Sequence, residues 1–136
     1  MSTTSQQFIG RIGEDAVILR YAEMGFSVVE RNLHVSHNEL DLILQNDTHL
    51  VFVEVKTRHA VVGVRTKYGR PAAAVTKAKR KRTVMAAQSY LRKHPTKLQP
   101  RIDVAEVYVK RSVDANGNAS EVVTDVLIFP CAFGAR

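Results

Sequence analysis

Asp41, Glu54 and Lys56 are the side chains in this chain whose type and spacing most suggest chemistry, because all three sit in otherwise apolar surroundings. Asp41 lies in the run Glu39-Leu40-Asp41-Leu42-Ile43-Leu44, and Glu54 and Lys56 close the run Leu50-Val51-Phe52-Val53-Glu54-Val55-Lys56. Both runs are short, rich in Val, Ile, Leu and Phe, and parted by the polar cluster Gln45-Asn46-Asp47-Thr48, the pattern of two strands joined by a turn. Alternation along a strand sends Glu54 and Lys56 to one face and Val55 to the other. Antiparallel pairing through the turn brings Asp41 within reach of Glu54. Two carboxylates on a largely apolar sheet are costly unless they share a cation or a partner. Hard oxygen donors beside an ammonium suit Mg²⁺ or Mn²⁺, and metal-assisted phosphodiester hydrolysis is the chemistry they would support. The bland alternative pairs Glu54 with Lys56 and satisfies Asp41 with backbone donors. Acid-x-Lys is a common tripeptide; the interruption of apolar strands by acids is not. On spacing and context alone both readings stay open.

The elements that must position these residues follow from periodicity. Thr4 to Gln7 fits a capping box, and a helix runs from there to about Met24, stopped by Gly25. Ile9, Ile12, Ala16 and Leu19 mark its buried stripe, with Gly10, Gly13, Glu14, Val17 and Tyr21 on another side. The two glycines make sense if something approaches the helix closely. Glu14, on spacing alone, reads as a solvated carboxylate near a positive helix start. Residues 26–35 form a first strand, and Ser36-His37-Asn38 turns into the strand that carries Asp41. Residues 57–70, with Gly63, Gly69 and several Lys and Arg, lack either periodicity and read as a flexible basic loop. Pro71 suits a first helical turn, and a long helix covers 72–94, restarting near Thr76. Val75, Ala78, Met85, Ala86 and Ser89 form its inner face, Lys77, Arg80 and Lys81 point away, and Arg82 snorkels from the inner stripe. After Pro95 and Pro100, residues 102–109 alternate strictly as a strand. Asp114 to Asn118 is a hairpin turn, and a last strand runs from Val122 to Phe129, ending at Pro130. The order is α-β-β-β-α-β-β, a mixed sheet covered by helices.

At 136 residues and 45% apolar composition, the chain suits one domain, residues 1–136. No apolar run approaches bilayer length, and Met1 to Gln7 has no signal-peptide layout. The single cysteine, Cys131, forms no internal disulfide and reads as a small core hydrophobe, which fits a reduced, cytoplasmic protein. The net charge of +7 is unevenly spread: −5 over residues 1–55, +14 over 56–111 and −2 over 112–136. No acid falls between Val55 and Ile102. Such a block favours a polyanion, because Lys and Arg that neutralise phosphates release counterions. Arg58, Arg65, Lys67, Arg70, Lys77, Arg80 and Lys81 are the residues expected to track a nucleic-acid backbone. The histidines show no paired ligand spacing, and each reads as a surface residue, His59 lying nearest the proposed site.

Several short stretches together resemble the YraN-like family. They are Gly10-Arg11-Ile12-Gly13-Glu14, Arg31-Asn32, Glu39-Leu40-Asp41-Leu42-Ile43, Phe52-Val53-Glu54-Val55-Lys56-Thr57-Arg58, Tyr68-Gly69-Arg70-Pro71, Arg101-Ile102-Asp103-Val104 and Ala132-Phe133. That family is similar to archaeal Holliday-junction resolvases and belongs with the restriction-endonuclease-like nucleases. The resemblance implies an α/β fold of that type, a central mixed β-sheet flanked by α-helices. It also implies the site Glu14, Asp41, Glu54 and Lys56. Asp41, Glu54, the Val55 carbonyl and Glu14 would hold Mg²⁺ or Mn²⁺, and Lys56 would orient a water or neutralise charge. The implied activity is an endonuclease on DNA, structure-selective or non-specific, cutting branched or flapped forms and leaving a 5′-phosphate. A homodimer is expected only by analogy with resolvases. Asn38 departs from the glycine usual before Glu39, which alters a turn and not a ligand. The alternative from another class is a non-catalytic nucleic-acid-binding module on the same fold.

Overall fold

In a computed structural model, the described residues are 5–59 and 77–133. They form α1 (Ser5–Glu23), β1 (Ser27–Val35), β2 (Asn38–Gln45), β3 (His49–His59), α2 (Lys77–Lys93), β4 (Gln99–Val113) and β5 (Ala119–Phe133). This is the α-β-β-β-α-β-β order expected from the sequence. The strands make one mixed sheet in the order β1-β2-β3-β4-β5. β1, β2 and β3 pair antiparallel, β3 and β4 parallel through the crossover that holds α2, and β4 and β5 antiparallel. No helix among the described residues is long and apolar enough to cross a membrane.

Alternation splits the sheet's apolar residues between two cores, one under each helix. Val17 and Tyr21 of α1 pack with Leu42, Leu44, Val51, Val53, Ala105, Val107 and Val109. Ala86, Ala87 and Tyr90 of α2 pack with Leu40, Ile43, Leu50, Phe52 and Ile102. Because both faces are covered, the middle of β2 and β3 is apolar at consecutive positions.

The helices present to the sheet only part of the faces their periodicity suggests; Ala86 is buried as expected, and Ile9, Ile12 and Ala16 flank the core. In α1, Val17 and Tyr21 are fully buried while Leu19 is 67% exposed. Ile9, Ile12 and Ala16 are only partly buried beside that core. The reason is Gly13: a Cβ there would lie 1.9 Å from Thr57 Oγ1. The glycine side of the helix is therefore the side that meets β3, and it carries Glu14, Val17 and Tyr21 inward with it. In α2 the buried residues are Thr83, Ala86, Ala87 and Tyr90, and Met85 is 52% exposed. Ala78 and Arg82 are also exposed, so Arg82 does not snorkel from an inner stripe. Val75 lies outside the described residues.

Other boundaries move outward. β3 runs three residues past Lys56 because Thr57, Arg58 and His59 continue the ladder with Val107, Tyr108 and Val109. Of the expected basic loop, 57–59 are thus strand, and 60–70 lie outside the described residues, as does the Thr4 cap. β5 continues beyond Pro130 to Phe133 across a register shift between Ile102 and Val104. Cys131 sits there at φ 54° and donates its N–H to Asp103 Oδ1 at 3.0 Å. A proline fits an edge strand at such an irregularity. Cys131 itself is exposed, not a core residue. The expected stops at Gly25 (φ 89°) and at the Asp114–Asn118 turn are present, the latter closed by Asp114 Oδ1 accepting from Asn116 and Asn118.

Candidate functional site

The β2–β3 ladder ends at Leu42 and Val53. Beyond that pair, β3 keeps its partner β4, with Glu54 beside Val104 and Lys56 beside Glu106. Asp41 and Glu54 are the next residues past the end of the β2–β3 ladder. Asp41 fills the break by accepting the Val55 N–H on Oδ2 at 2.9 Å, which replaces a lost ladder bond. Its carboxyl is pushed up to about 7, first by burial and then by the Glu54 charge. The Val55 N–H and Lys79 pull it down, and Glu14 adds a smaller push upward.

Glu54 is 3% exposed and is served by two ammonium groups. Lys79 Nζ lies 3.3 Å from Glu54 Oε1, and Lys56 Nζ lies 3.9 Å from the same oxygen. Lys56 is the partner expected; Lys79, which the sequence did not single out, is the nearer. Its placement follows from the true inner face of α2. Thr83 is buried on that face and donates to the Lys79 carbonyl at 3.0 Å, so Lys79, one turn earlier, is turned toward the sheet.

On the α1 side, a cavity of about 360 Å³ is lined by Ile9, Gly10, Glu14, Asp41, Val55, Thr57 and His59. Glu14 and Asp41 thus face one space, and Gly13 sets its depth by admitting Thr57. Glu14 is not simply solvated. Its Oε1 accepts from Arg31 Nη2 and Asn32 Nδ2, both at 3.2 Å, and Arg31 also reaches Asp15 at 3.0 Å. Asn32 holds a left-handed φ of 49° within β1, which Asn tolerates better than most residues. Arg31 and Asn32 are therefore the orienting residues of Glu14. His59 lies at the rim, its Nε2 2.8 Å from Glu121 Oε2.

The basic residues separate into groups. Arg58 lies 3.5 Å from the buried Glu106, whose same oxygen accepts the Tyr108 hydroxyl, so Arg58 is tethered. Lys77 and Lys81 are exposed on α2, and Arg80 is half-buried. Arg65, Lys67 and Arg70 lie outside the described residues.

Among the described residues, no three of His, Cys, Asp and Glu are grouped so that they could hold a metal ion as they stand. Glu14 shares a cavity with Asp41, but its Oε1 is taken by Arg31 and Asn32. The donor set nevertheless suits a hard cation, since the partly buried Asp41 and the buried Glu54 are oxygen donors, and desolvation followed by the Glu54 charge raises the Asp41 pKa. Two carboxylates, not the expected four-donor shell, are what the backbone brings together.

A sequence model described as "Uncharacterised protein family UPF0102" matches residues 13–107, a span that contains Glu14, Asp41, Glu54, Lys56 and Lys79. A UPF0102 protein of Chloroherpeton thalassium is 36% identical over 104 residues, covering 76% of this chain and 77% of its own. One from Janthinobacterium sp. (strain Marseille) is 37% identical over 101 residues, covering 74% and 78%. One from Symbiobacterium thermophilum is 39% identical over 100 residues, covering 73% and 80%.

Proposed function

The chain belongs to the UPF0102 family, the family of YraN, and we propose that it is a divalent-metal-dependent endonuclease acting on DNA through Asp41, Glu54 and Lys56. One observation carries the reading. The buried Glu54 and the partly buried Asp41 meet where a strand ladder ends, Asp41 pushed up to about 7 by desolvation and by the Glu54 charge, with lysines at their edge. A purely structural pair would be expected to find a full set of neutralising donors. Among the described residues Asp41 accepts one backbone N–H and feels the Lys79 charge, and the remaining charge is what a Mg²⁺ or Mn²⁺ ion would relieve.

Asp41, Glu54 and the Val55 carbonyl would hold the ion, with Glu14 a further donor once it leaves Arg31 and Asn32. Bound there, the ion would polarise the scissile phosphate and lower the pKa of a coordinated water. The side chains have separate tasks. Lys56 lies close enough to Glu54 to sit beside the attacked phosphorus, where an ammonium orients the water and stabilises developing negative charge. Lys79 holds Glu54 from the α2 side and fixes the position of its carboxylate. The water oxygen bonds to phosphorus, the bond to O3′ breaks, and the products are a 5′-phosphate and a 3′-hydroxyl. Exposed Lys77 and Lys81 carry no base-reading pattern, which suits recognition by shape or by charge alone.

A second reading has its own support. Since Glu14 is held by Arg31 and Asn32 and no group of three metal donors is assembled among the described residues, a non-catalytic nucleic-acid-binding module is the rival. The test is incubation with Mg²⁺ or Mn²⁺ and end-labelled junction, flap, single-stranded and duplex DNA, each beside an EDTA control. Endonuclease action predicts EDTA-sensitive products that a ligase can rejoin through their 5′-phosphates. Tight binding with no product from any shape would replace it with the module.

A further inference from the structure

A second, smaller cavity opens on the α2 side of the same site. It has a volume of about 150 Å³ and is lined, among the described residues, by His37, Asn38, Glu39, Lys79, Arg82 and Thr83. We propose that this cavity receives one phosphodiester group of a bound nucleic-acid strand, next along from the group at Asp41 and Glu54.

The inference rests on the nucleic-acid reading above and adds a direction to it. Lys79 is the link, for it lines this cavity while its Nζ lies 3.3 Å from Glu54 Oε1. Arg82 is one helical turn further along α2, so the two cations lie on neighbouring positions of one helix surface. The opposite wall is the tight β1–β2 turn, where Val35 pairs with Asn38 and Ser36 holds φ 56°. A two-residue turn of that kind fixes the Asn38 backbone, whose N–H belongs to the hairpin pairing, and so anchors its side-chain amide at the cavity. Thr83 spends its hydroxyl hydrogen on the Lys79 carbonyl, so the wall's side-chain donors are Lys79, Arg82, the His37 ring and the Asn38 amide. The one acid present, Glu39, is half-exposed and lies 3.8 Å from His34 Nε2, on the outer side of the hairpin. At roughly 30 Å³ per water, the space holds a few waters, or one phosphate displacing them. Arginine and an amide on a rigid turn are suited to phosphate oxygens, and positioning contacts of this type carry no sequence information.

The decisive experiment measures affinity for a single-stranded 20-mer in EDTA, where nothing is cut, as salt is varied. Wild type, Arg82→Gln, Asn38→Asp and a control, Lys97→Gln, are compared. Lys97 is exposed and lies beside the start of β4, at the far end of the sheet from the site. Loss of one phosphate contact on a single strand lowers the slope of log affinity against log salt by about 0.7. Arg82→Gln is expected to show that drop, Asn38→Asp to bind more weakly than wild type, and Lys97→Gln to keep the wild-type slope. Equal slopes for wild type and Arg82→Gln overturn the subsite while leaving the nuclease reading intact. Failure of wild type to bind the oligonucleotide also overturns the subsite, and cleavage of junction, flap and duplex DNA then tests the nuclease reading by itself. Inorganic phosphate that shifts the Asn38 and Thr83 amide resonances, without an Arg82-dependent slope, would mean that the cavity takes a free ion and overturns the strand assignment.

Discussion

Asp41 is the residue at which burial and charge act most strongly on the candidate site. Its folded pKa of about 7 stands above the ordinary carboxylate value of 3.8. Between those two values the folded protein binds more protons at this position than the unfolded chain does. Stability contributed here is therefore greatest at low pH and is lost as pH rises from about 4 to about 7. Asp41→Asn keeps an acceptor for the Val55 N–H and removes the charge. In EDTA it should gain stability relative to wild type on going from pH 5 to pH 8, by on the order of 2 kcal/mol in urea denaturation. Parallel pH profiles for the two proteins would show that Asp41 is not strained in the metal-free state. Asp41 and Glu54 were legible in the sequence because acids in apolar strands need a reason. Lys79 was not, since α2 presents Lys77, Lys79 and Lys81 in one run and only the helix phase tells them apart.

That phase is a property of the element, and it is where sequence reading was weakest. The order of elements along the chain, the hairpins and the helix stops came from local signals: turn residues, alternation and Gly25. Which face of a helix turns inward depends on what lies opposite, and no periodicity count contains that. In α1 the deciding contact is Gly13 against Thr57, two residues far apart in the chain. Of the two glycines expected to mark a close approach, Gly13 does so, while a Cβ at Gly10 would meet open space. Gly13→Ala should cost about 1–3 kcal/mol in urea denaturation, the usual penalty for overpacking, although alanine is the better helix former. The cost should shrink in a Thr57→Ala background, because the nearest obstructing atom is then gone. Equal costs in both backgrounds would mean that α1 adjusts freely over β3. Thr57, Glu14 and Asp41 line one cavity, so Gly13→Ala should also weaken any activity that needs both carboxylates.

At the scale of the molecule, one buried charge ties three elements together. Asp103 is fully buried; it accepts from the Tyr21 hydroxyl of α1 at 2.5 Å, from Arg101 at 2.9 Å and from the Cys131 N–H of β5 at 3.0 Å. Asp103→Ala leaves Arg101 and a backbone donor unsatisfied, and should destabilise by about 3–5 kcal/mol in urea denaturation. A loss below 1 kcal/mol would show that β5 and α1 hold the sheet without it. The strand signal at 102–109 was clear from alternation, but the role of Asp103 was hidden because its partners come from opposite ends of the chain. The charge layout was readable from the sequence alone, and its consequence belongs to the whole surface. The measurement that separates a nuclease from a binder follows cutting and binding in the same proteins: wild type, Asp41→Asn, Glu54→Gln and Lys56→Ala, each shown to be folded. Cleavage of the preferred DNA form in Mn²⁺ should fall by about 100-fold or more in all three variants, while affinity in EDTA stays near wild type. Cutting at equal rates in all four proteins, or none in any, would contradict hydrolysis at Asp41, Glu54 and Lys56.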